Sequence, residues 1–436
     1  MWGLDDYTIG LLGVGALLLL VFAGVRVYIA AAVVGLVGLV VLIGWDAGAG
    51  IAGTIPHSKS TTYTLSVLPM FILIGFLAFH AGITEALFDA ARKWVGWVPG
   101  GLAVATVFAT AGFAAVSGAS TATAAVFARV AIPDMLKSGY SPRLAAGVVA
   151  AGGTLASLIP PSAILVIYAI IVEESVGRLL LAGFIPGVVS ALIYALLIIG
   201  QCAWRPELGR PIGGFTWGER LRALPGTSPI LLVVLIIITA IYGGWATPTE
   251  AGALGAFVVF LLAIMRGMRW TTLREALMET AKLTVMIFSL IWGVLVFVRF
   301  LGFAGLPAAF TEWVVSLPLP PVVIMIGILL AYAVLGMFMD AIGMLLLTLP
   351  IVHPAVVALG YDPIWFGIIV VKMAEICLIT PPIGLNCFVV AGVRPDIGVG
   401  EVFRGITPFF VADVATVALF LAFPEIITWL PQLLLG

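Results

Sequence analysis

Apolar runs long enough to cross a bilayer recur along almost the whole chain, and polar positions are gathered into short gaps between them. A membrane-spanning helix needs about 20 mostly apolar residues. Runs of this kind predict spans at 8–25, 27–44, 65–81, 179–200, 228–244, 247–265, 277–298 and 405–423. Two stretches, 144–172 and 364–392, suit one span each but carry Pro160-Pro161 and Pro381-Pro382 at mid-length. Proline removes a backbone donor and disturbs the preceding turn, so each predicts a broken helix. Two others, 99–128 and 318–352, are too long for one span and have a polar or glycine-bearing centre. They predict re-entrant hairpins, which enter and leave on the same face. An amphipathic stretch precedes each hairpin, at 82–97 and 305–317. With Trp94, Trp97 and Trp313 at headgroup level these read as interfacial arms, or else as plain connecting helices.

Composition sharpens this pattern. The chain is 63% hydrophobic and 9% charged, against about 25% charged in soluble domains, so it has too little polar surface to face water. A lipid bilayer takes the place of that surface. The net charge of -1 leaves no basic field for phosphates and excludes a nucleic-acid partner. Cys202, Cys377 and Cys387 form no CxxC and read as packing residues. The N-terminal MWGLDDYTIG has acids and no basic region, so a cleavable leader is not expected. An enzyme is disfavoured as well. His57, His80 and His353 form no metal pair, HExxH and the P-loop motif are absent, and Ser117 and Ser120 have no nearby histidine.

The basic residues orient the spans. Lys59, Arg178 and Arg299 fall on one face, Lys372 lies within a span, and every other lysine and arginine falls on or beside the opposite face. The rich face is then cytoplasmic, in a bacterial inner membrane, with both chain ends outside. The chain also repeats itself. GYSP at 139–142 recurs as GYDP at 360–363, and Pro133 and Pro160-Pro161 recur at the same offset as Pro354 and Pro381-Pro382. Gly183-Phe184-Ile185-Pro186 meets Gly405-Ile406-Thr407-Pro408 at an offset one residue longer. The expected organisation is therefore all-α with an inverted-topology repeat. N-terminal scaffold helices (1–64) precede a first copy (65–200) whose hairpin enters from the cytoplasm. A cytoplasmic loop and central scaffold helices (201–276) precede a second copy (277–423) whose hairpin enters from the periplasm, followed by a tail (424–436). Inverted repeats are common in secondary transporters, with sites at the midplane where broken helices meet.

Four segments carry a family resemblance. They are AVSGASTATAA at 115–125, AIPDMLKSGYSPRLAAGVVAAGGTLASLIPPS at 131–162, GMFMDAIGMLLL at 336–347 and VVKMAEICLITPPIGLNCFVVAG at 370–392. With the repeat, they make the chain resemble the large membrane subunit of TRAP (tripartite ATP-independent periplasmic) transporters. The resemblance implies an elevator-type symporter for an organic acid, driven by sodium. It also implies two partners, a small four-helix membrane subunit and a periplasmic substrate-binding protein. Cargo of the family includes dicarboxylates, keto acids, and sialic or sugar acids. The alternative is a self-sufficient sodium or proton symporter of another inverted-repeat elevator family.

Sodium takes hard oxygens, which helix breaks and hydroxyls supply. A first sodium site is expected at Ser117, Gly118, Ser120, Gly153, Thr154 and Pro160, and a second at Gly336, Asp340, Thr380, Pro382 and Asn386. Small-residue helix packing is the competing explanation for the same residues. Substrate is expected between Ser120, Thr123, Asp340 and Asn386, with no arginine evidently placed to meet its carboxylate. Lys372 and Glu375, three apart on one helix face, read as a structural ion pair or as ligand contacts. Asp413 reads as a helix-contact residue. A charge inside a membrane costs at least about 2.5 kcal/mol, so each demands a reason.

Overall fold

The structure is a computed structural model that describes residues 5–435. Met1–Leu4, within the stretch read above against a leader, and Gly436 of the expected tail lie outside the described residues. Helices α1 (Asp6–Phe22), α2 (Val27–Ile43) and α3 (Trp45–Ser60) come first. They precede α4 (Val67–His80), α5 (Ile83–Val95), α6 (Gly101–Ser117), α7 (Ser120–Lys137), α8 (Pro142–Thr154), α9 (Ala163–Val172) and α10 (Val176–Trp204). After α11 (Trp217–Tyr242) and α12 (Pro248–Met265) come α13 (Trp270–Phe303), α14 (Leu306–Ser316), α15 (Pro321–Gly336) and α16 (Ala341–Ala358). The chain closes with α17 (Pro363–Ile379), α18 (Leu385–Val393), α19 (Val399–Ala422) and α20 (Glu425–Leu435). No strand occurs among the described residues. One succession of long helix, arm, helix pair, broken helix and long helix runs through α4–α10 and again through α13–α19.

Among the described residues, seven segments are long and apolar enough to cross a membrane: Tyr63–His80, α10, α11, α12, α13, α16 and α19. Helices α1 and α2, expected as spans, are apolar but only 17 residues each. Several elements differ from the apolar runs, α3, α7 and α11 among them. Helix α3 escaped the pattern because its sequence, WDAGAGIAGTIPHSKS, holds no apolar run; it forms by lying on α2, where a Cβ on Gly48 would meet the Val40 backbone. Helix α7 continues past residue 128 to Lys137, since Arg129 stays exposed at its surface and ends no turn. Helix α11 starts at Trp217, well before its apolar run, because Thr216 and Glu219 form a reciprocal capping box there.

Both helix pairs are antiparallel. In α6–α7 the Ser117 and Thr123 hydroxyls meet at 2.8 Å near the turn, while the Phe113 and Phe127 rings stack edge-on at 6.0 Å farther along. At the far end the Leu102 N–H donates to Tyr140 Oη at 3.1 Å. In α15–α16 the Thr348 hydroxyl donates to Tyr332 Oη at 2.8 Å. The pairs and the broken helices pack into one body, in which the two copies meet at α8 and α19. There a Cβ on Gly147 would collide with the Gly405 carbonyl, and one on Gly405 with that of Arg143. Backbones this close need glycine, as in other membrane helix contacts. A second set of helices packs against that body, chiefly on α6 and α16. Within it α2 crosses α13 through Gly35 and Gly293, whose missing side chains admit the Phe297 and Tyr28 backbones.

Candidate functional site

A cavity of about 640 Å³ lies between the body and the outer helices. The α6–α7 turn gives Gly118, Ala119, Ser120 and Thr121 to its wall, and the α15–α16 turn gives Met339, Asp340 and Ala341. Ala163 and Ile164 follow the first Pro-Pro, while Leu378 and Leu385 flank the second. Arg26 and Tyr28 at the start of α2 complete it with Leu283, Met286, Ile287 and Leu290 of α13. Both turns, and residues that flank both helix breaks, therefore line one space.

Local chemistry explains the turns. Gly118 holds φ +58, and a Cβ there would lie 2.7 Å from the Pro161 carbonyl oxygen, so glycine is required twice over. Helix α16 is capped by its own Asp340, whose carboxylate accepts from the Gly343 N–H at 3.0 Å. Helix α9 is capped by Ser162, which accepts from Leu165 N at 3.3 Å. Helix α7 begins after Ala119 with no side-chain cap, which leaves its first N–H groups and the positive end of its dipole uncompensated.

Of the first expected sodium site, Ser117, Gly118, Ser120 and Gly153 are brought together. The Ser120 and Ser157 hydroxyls meet at 2.7 Å, the Ala163 N–H donates to the Gly118 carbonyl at 3.4 Å, and Gly153 packs on the Ser120 carbonyl. Ser162 donates to the Ser157 carbonyl. Thr154 is directed elsewhere: its hydroxyl donates to the Ala151 carbonyl at 2.7 Å and lies 3.5 Å from Tyr194 Oη. Pro160 and Pro161 face α10 and α11, beside Leu180, Val234 and Tyr242.

The second expected site is not gathered. The Thr380 hydroxyl donates to the Ile376 carbonyl at 2.6 Å, Gly336 packs on Cys377, and Pro382 is exposed. Asn386 is fully buried, its amide donating to the Ala150 carbonyl of the other copy at 3.1 Å. Of the four residues expected around substrate, Ser120 and Asp340 line the cavity. Thr123 is fully buried, held by Ser117 and by the Ala119 carbonyl at 3.0 Å, and like Asn386 is not on the wall.

Arg26 was missed as a site residue. In sequence it is one basic residue between two apolar helices, indistinguishable from the loop charges that set orientation. In space it is exposed on the cavity wall, its guanidinium 3.4 Å from Tyr28 Oη.

Lys372, Glu375 and Asp413 form a separate, closed cluster. Lys372 Nζ lies 2.7 Å from Glu375 Oε2 and 2.8 Å from Asp413 Oδ1. Tyr194 of α10 donates to both Asp413 oxygens, at 2.7 and 2.8 Å. All four side chains are fully buried and none is on the cavity wall. The cluster thus ties α17 and α19 to α10, with Lys372 and Glu375 paired within it.

Residues 14–426 match the family described as "Tripartite ATP-independent periplasmic transporter, DctM component". The C4-dicarboxylate TRAP transporter large permease protein DctM of Vibrio cholerae is 37% identical over 416 residues, covering 89% of this chain and 90% of that protein. The sialic acid TRAP transporter large permease protein SiaM of the same organism is 32% identical, covering 86% and 87%. The 2,3-diketo-L-gulonate TRAP transporter large permease protein YiaN of Escherichia coli is 31% identical, covering 84% and 86%. In fold, the chain resembles the crystal structure of the Alcanivorax borkumensis YdaH transporter, with a TM-score of 0.59 at 14% identity over 88% of this chain and 90% of that one.

Proposed function

The chain belongs to the tripartite ATP-independent periplasmic transporter family as its DctM component, a large permease and not an enzyme, and on that premise we propose that it carries an organic acid across the bacterial inner membrane by sodium symport. The single observation that carries this reading is the shared cavity, lined by both helix turns and by residues that flank both helix breaks. Its volume of about 640 Å³ is in the range of small-molecule sites, about 300–1,000 Å³.

The chemistry is complementary to a carboxylate on one side and to a cation on the other. Arg26 can take a carboxylate in a two-pronged hydrogen bond, and the uncapped start of α7, with Ser120 and Thr121, favours the same charge. Asp340, on the wall as well, repels an anion unless a cation lies between them. A cotransported sodium beside Asp340 removes that repulsion and couples cargo to ion. A second sodium suits the turn formed by Ser117, Gly118 and Ser120 against Ser157, where hydroxyl and carbonyl oxygens converge. The hairpins are re-entrant from opposite faces, and the body they form with the broken helices moves as one against the outer helices. The two breaks differ in cover: Pro161 and Ser162 are buried, whereas Pro381 and Pro382 are exposed. One-sided opening of this kind is what a carrier at one end of its stroke requires. The partners are a small membrane subunit and a periplasmic binding protein that delivers the acid.

The test is uptake by Arg26→Gln and Ser120→Ala variants. Each is expected to lose uptake while accumulating in the membrane at the normal level. Normal uptake by both would overturn this assignment of the site.

A further inference from the structure

A second cavity, of about 740 Å³, continues the first along the same three helices. On α9 the wall passes from Ala163 and Ile164 to Ile167, Ile170 and Ile171. On α13 it passes from Met286, Ile287 and Leu290 to Ile291, Leu295 and Arg299, and on α16 from Ala341 and Ile342 to Leu346 and Pro350. These positions repeat every three or four residues, so each helix turns one face to both cavities. Met286 and Arg299 stand about 20 Å apart along α13 at 1.5 Å per residue. Between the two spaces Ile164, Ile167, Ile291 and Leu346 form a buried aliphatic partition.

The outer cavity is chemically distinct. Its wall carries Lys59, Arg299 and Glu173, with the hydroxyls of Thr54 and Ser58. Lys59 and Arg299 are two of the three basic residues that the charge pattern assigns to the outer face. Among the described residues neither belongs to an ion pair. Two cations against one carboxylate, in a cleft with low-dielectric aliphatic walls, concentrate anions.

We propose that this outer cavity is a waiting site for the carboxylate cargo, held by Lys59 and Arg299 before the aliphatic partition opens to the inner cavity. The proposal rests on the reading of the chain as an organic-acid carrier. It adds an anion site about two-thirds of a bilayer core away from Met286, on the face where cargo would be delivered. Glu173 tempers the attraction, so that the acid is captured and released rather than trapped. The partition keeps the two sites from being occupied as one open channel.

The experiment reads the field of the cavity without requiring transport. Thr54 is exposed on the wall, and the three native cysteines are buried, so Thr54→Cys gives this chain one accessible thiol, read in the full permease with a cysteine-free small subunit. Its labelling rates with an anionic and a cationic methanethiosulfonate are compared at low salt. The anionic reagent is expected to gain on the cationic one by on the order of tenfold relative to the same reporter carrying Lys59→Gln and Arg299→Gln. The preference should shrink as salt rises, and succinate should slow labelling. Glu173→Gln should strengthen the preference, which keeps the test open if the double variant fails to assemble. A rate ratio unmoved by all these changes would overturn the waiting site. Loss of the sodium or binding-protein requirement in uptake would instead strike the functional reading and leave the anion site standing.

Discussion

Replacing Lys372 with methionine leaves two carboxylates facing one another where water does not reach. The ammonium lies 2.7 Å from Glu375 and 2.8 Å from Asp413, and all three side chains are fully buried. Removing one partner of such a pair costs about 3–5 kcal/mol, because the remaining charge is buried without compensation. Here the loss strands two carboxylates, so the upper part of that range applies. One ammonium cannot balance two carboxylates, and Glu375 Oε1 is a buried oxygen with no partner, whereas both Asp413 oxygens are taken up by Lys372 and Tyr194. Glu375→Gln should therefore be mild, and Asp413→Asn severe. The triple variant Lys372→Met, Glu375→Gln, Asp413→Asn removes every charge and should recover most of the loss, as replacement of whole buried ion clusters does. The assay is thermal unfolding of the permease in nanodiscs, read by the fraction that still elutes as a monodisperse peak. Lys372→Met melting with the wild type, or the triple variant melting no higher than Lys372→Met, would refute the reasoning.

Tyr194→Phe deletes the one hydroxyl proton that the two oxygens of a buried carboxylate share and should cost about 1.5–3 kcal/mol in the same melting assay, with little added loss when Asp413 is already Leu. Gly118→Ala forces an L side chain into a left-handed turn, at about 1–2 kcal/mol, and drives its Cβ against Pro161; uptake should fall at least about tenfold with membrane levels unchanged. Gly405→Leu pushes α19 off α8, since even a Cβ collides with the Arg143 carbonyl, and the permease should fail to accumulate in the membrane.

Much of this architecture is written in the sequence because lipid imposes it. A helix surrounded by lipid must be apolar for its whole length, so α10, α12 and α19 can be read from hydropathy alone. The breaks are equally plain, since Pro160-Pro161 and Pro381-Pro382 fall inside apolar runs. Helix α3 is illegible for the converse reason: it is held by packing on α2 through Gly48, with no apolar run of its own. At the site, Ser117, Gly118 and Ser120 are legible because a glycine between hydroxyls inside an apolar run marks a turn. Asn386 is ambiguous, because a polar residue in the first turn of a helix looks the same whether it faces a cavity or a distant carbonyl; its amide donates to a carbonyl while its Oδ1 is buried without a hydrogen-bond partner. The partner of that amide, Ala150, belongs to the other copy, and no local signal announces it. Arg26 is hidden in the same way, as its neighbours on the wall come from α7, α13 and α16. The Lys372 cluster was half legible: the i,i+3 pair is local, whereas Tyr194 and Asp413 arrive from two other helices.

The proposed sodium-driven transport of an organic acid, dependent on a binding protein, is tested by uptake into proteoliposomes holding this chain with a small membrane subunit. Candidate acids are offered with an inward sodium gradient and the purified binding protein each present or omitted. Uptake that requires both is the predicted result. Uptake that proceeds without the binding protein, or is indifferent to sodium, would contradict it.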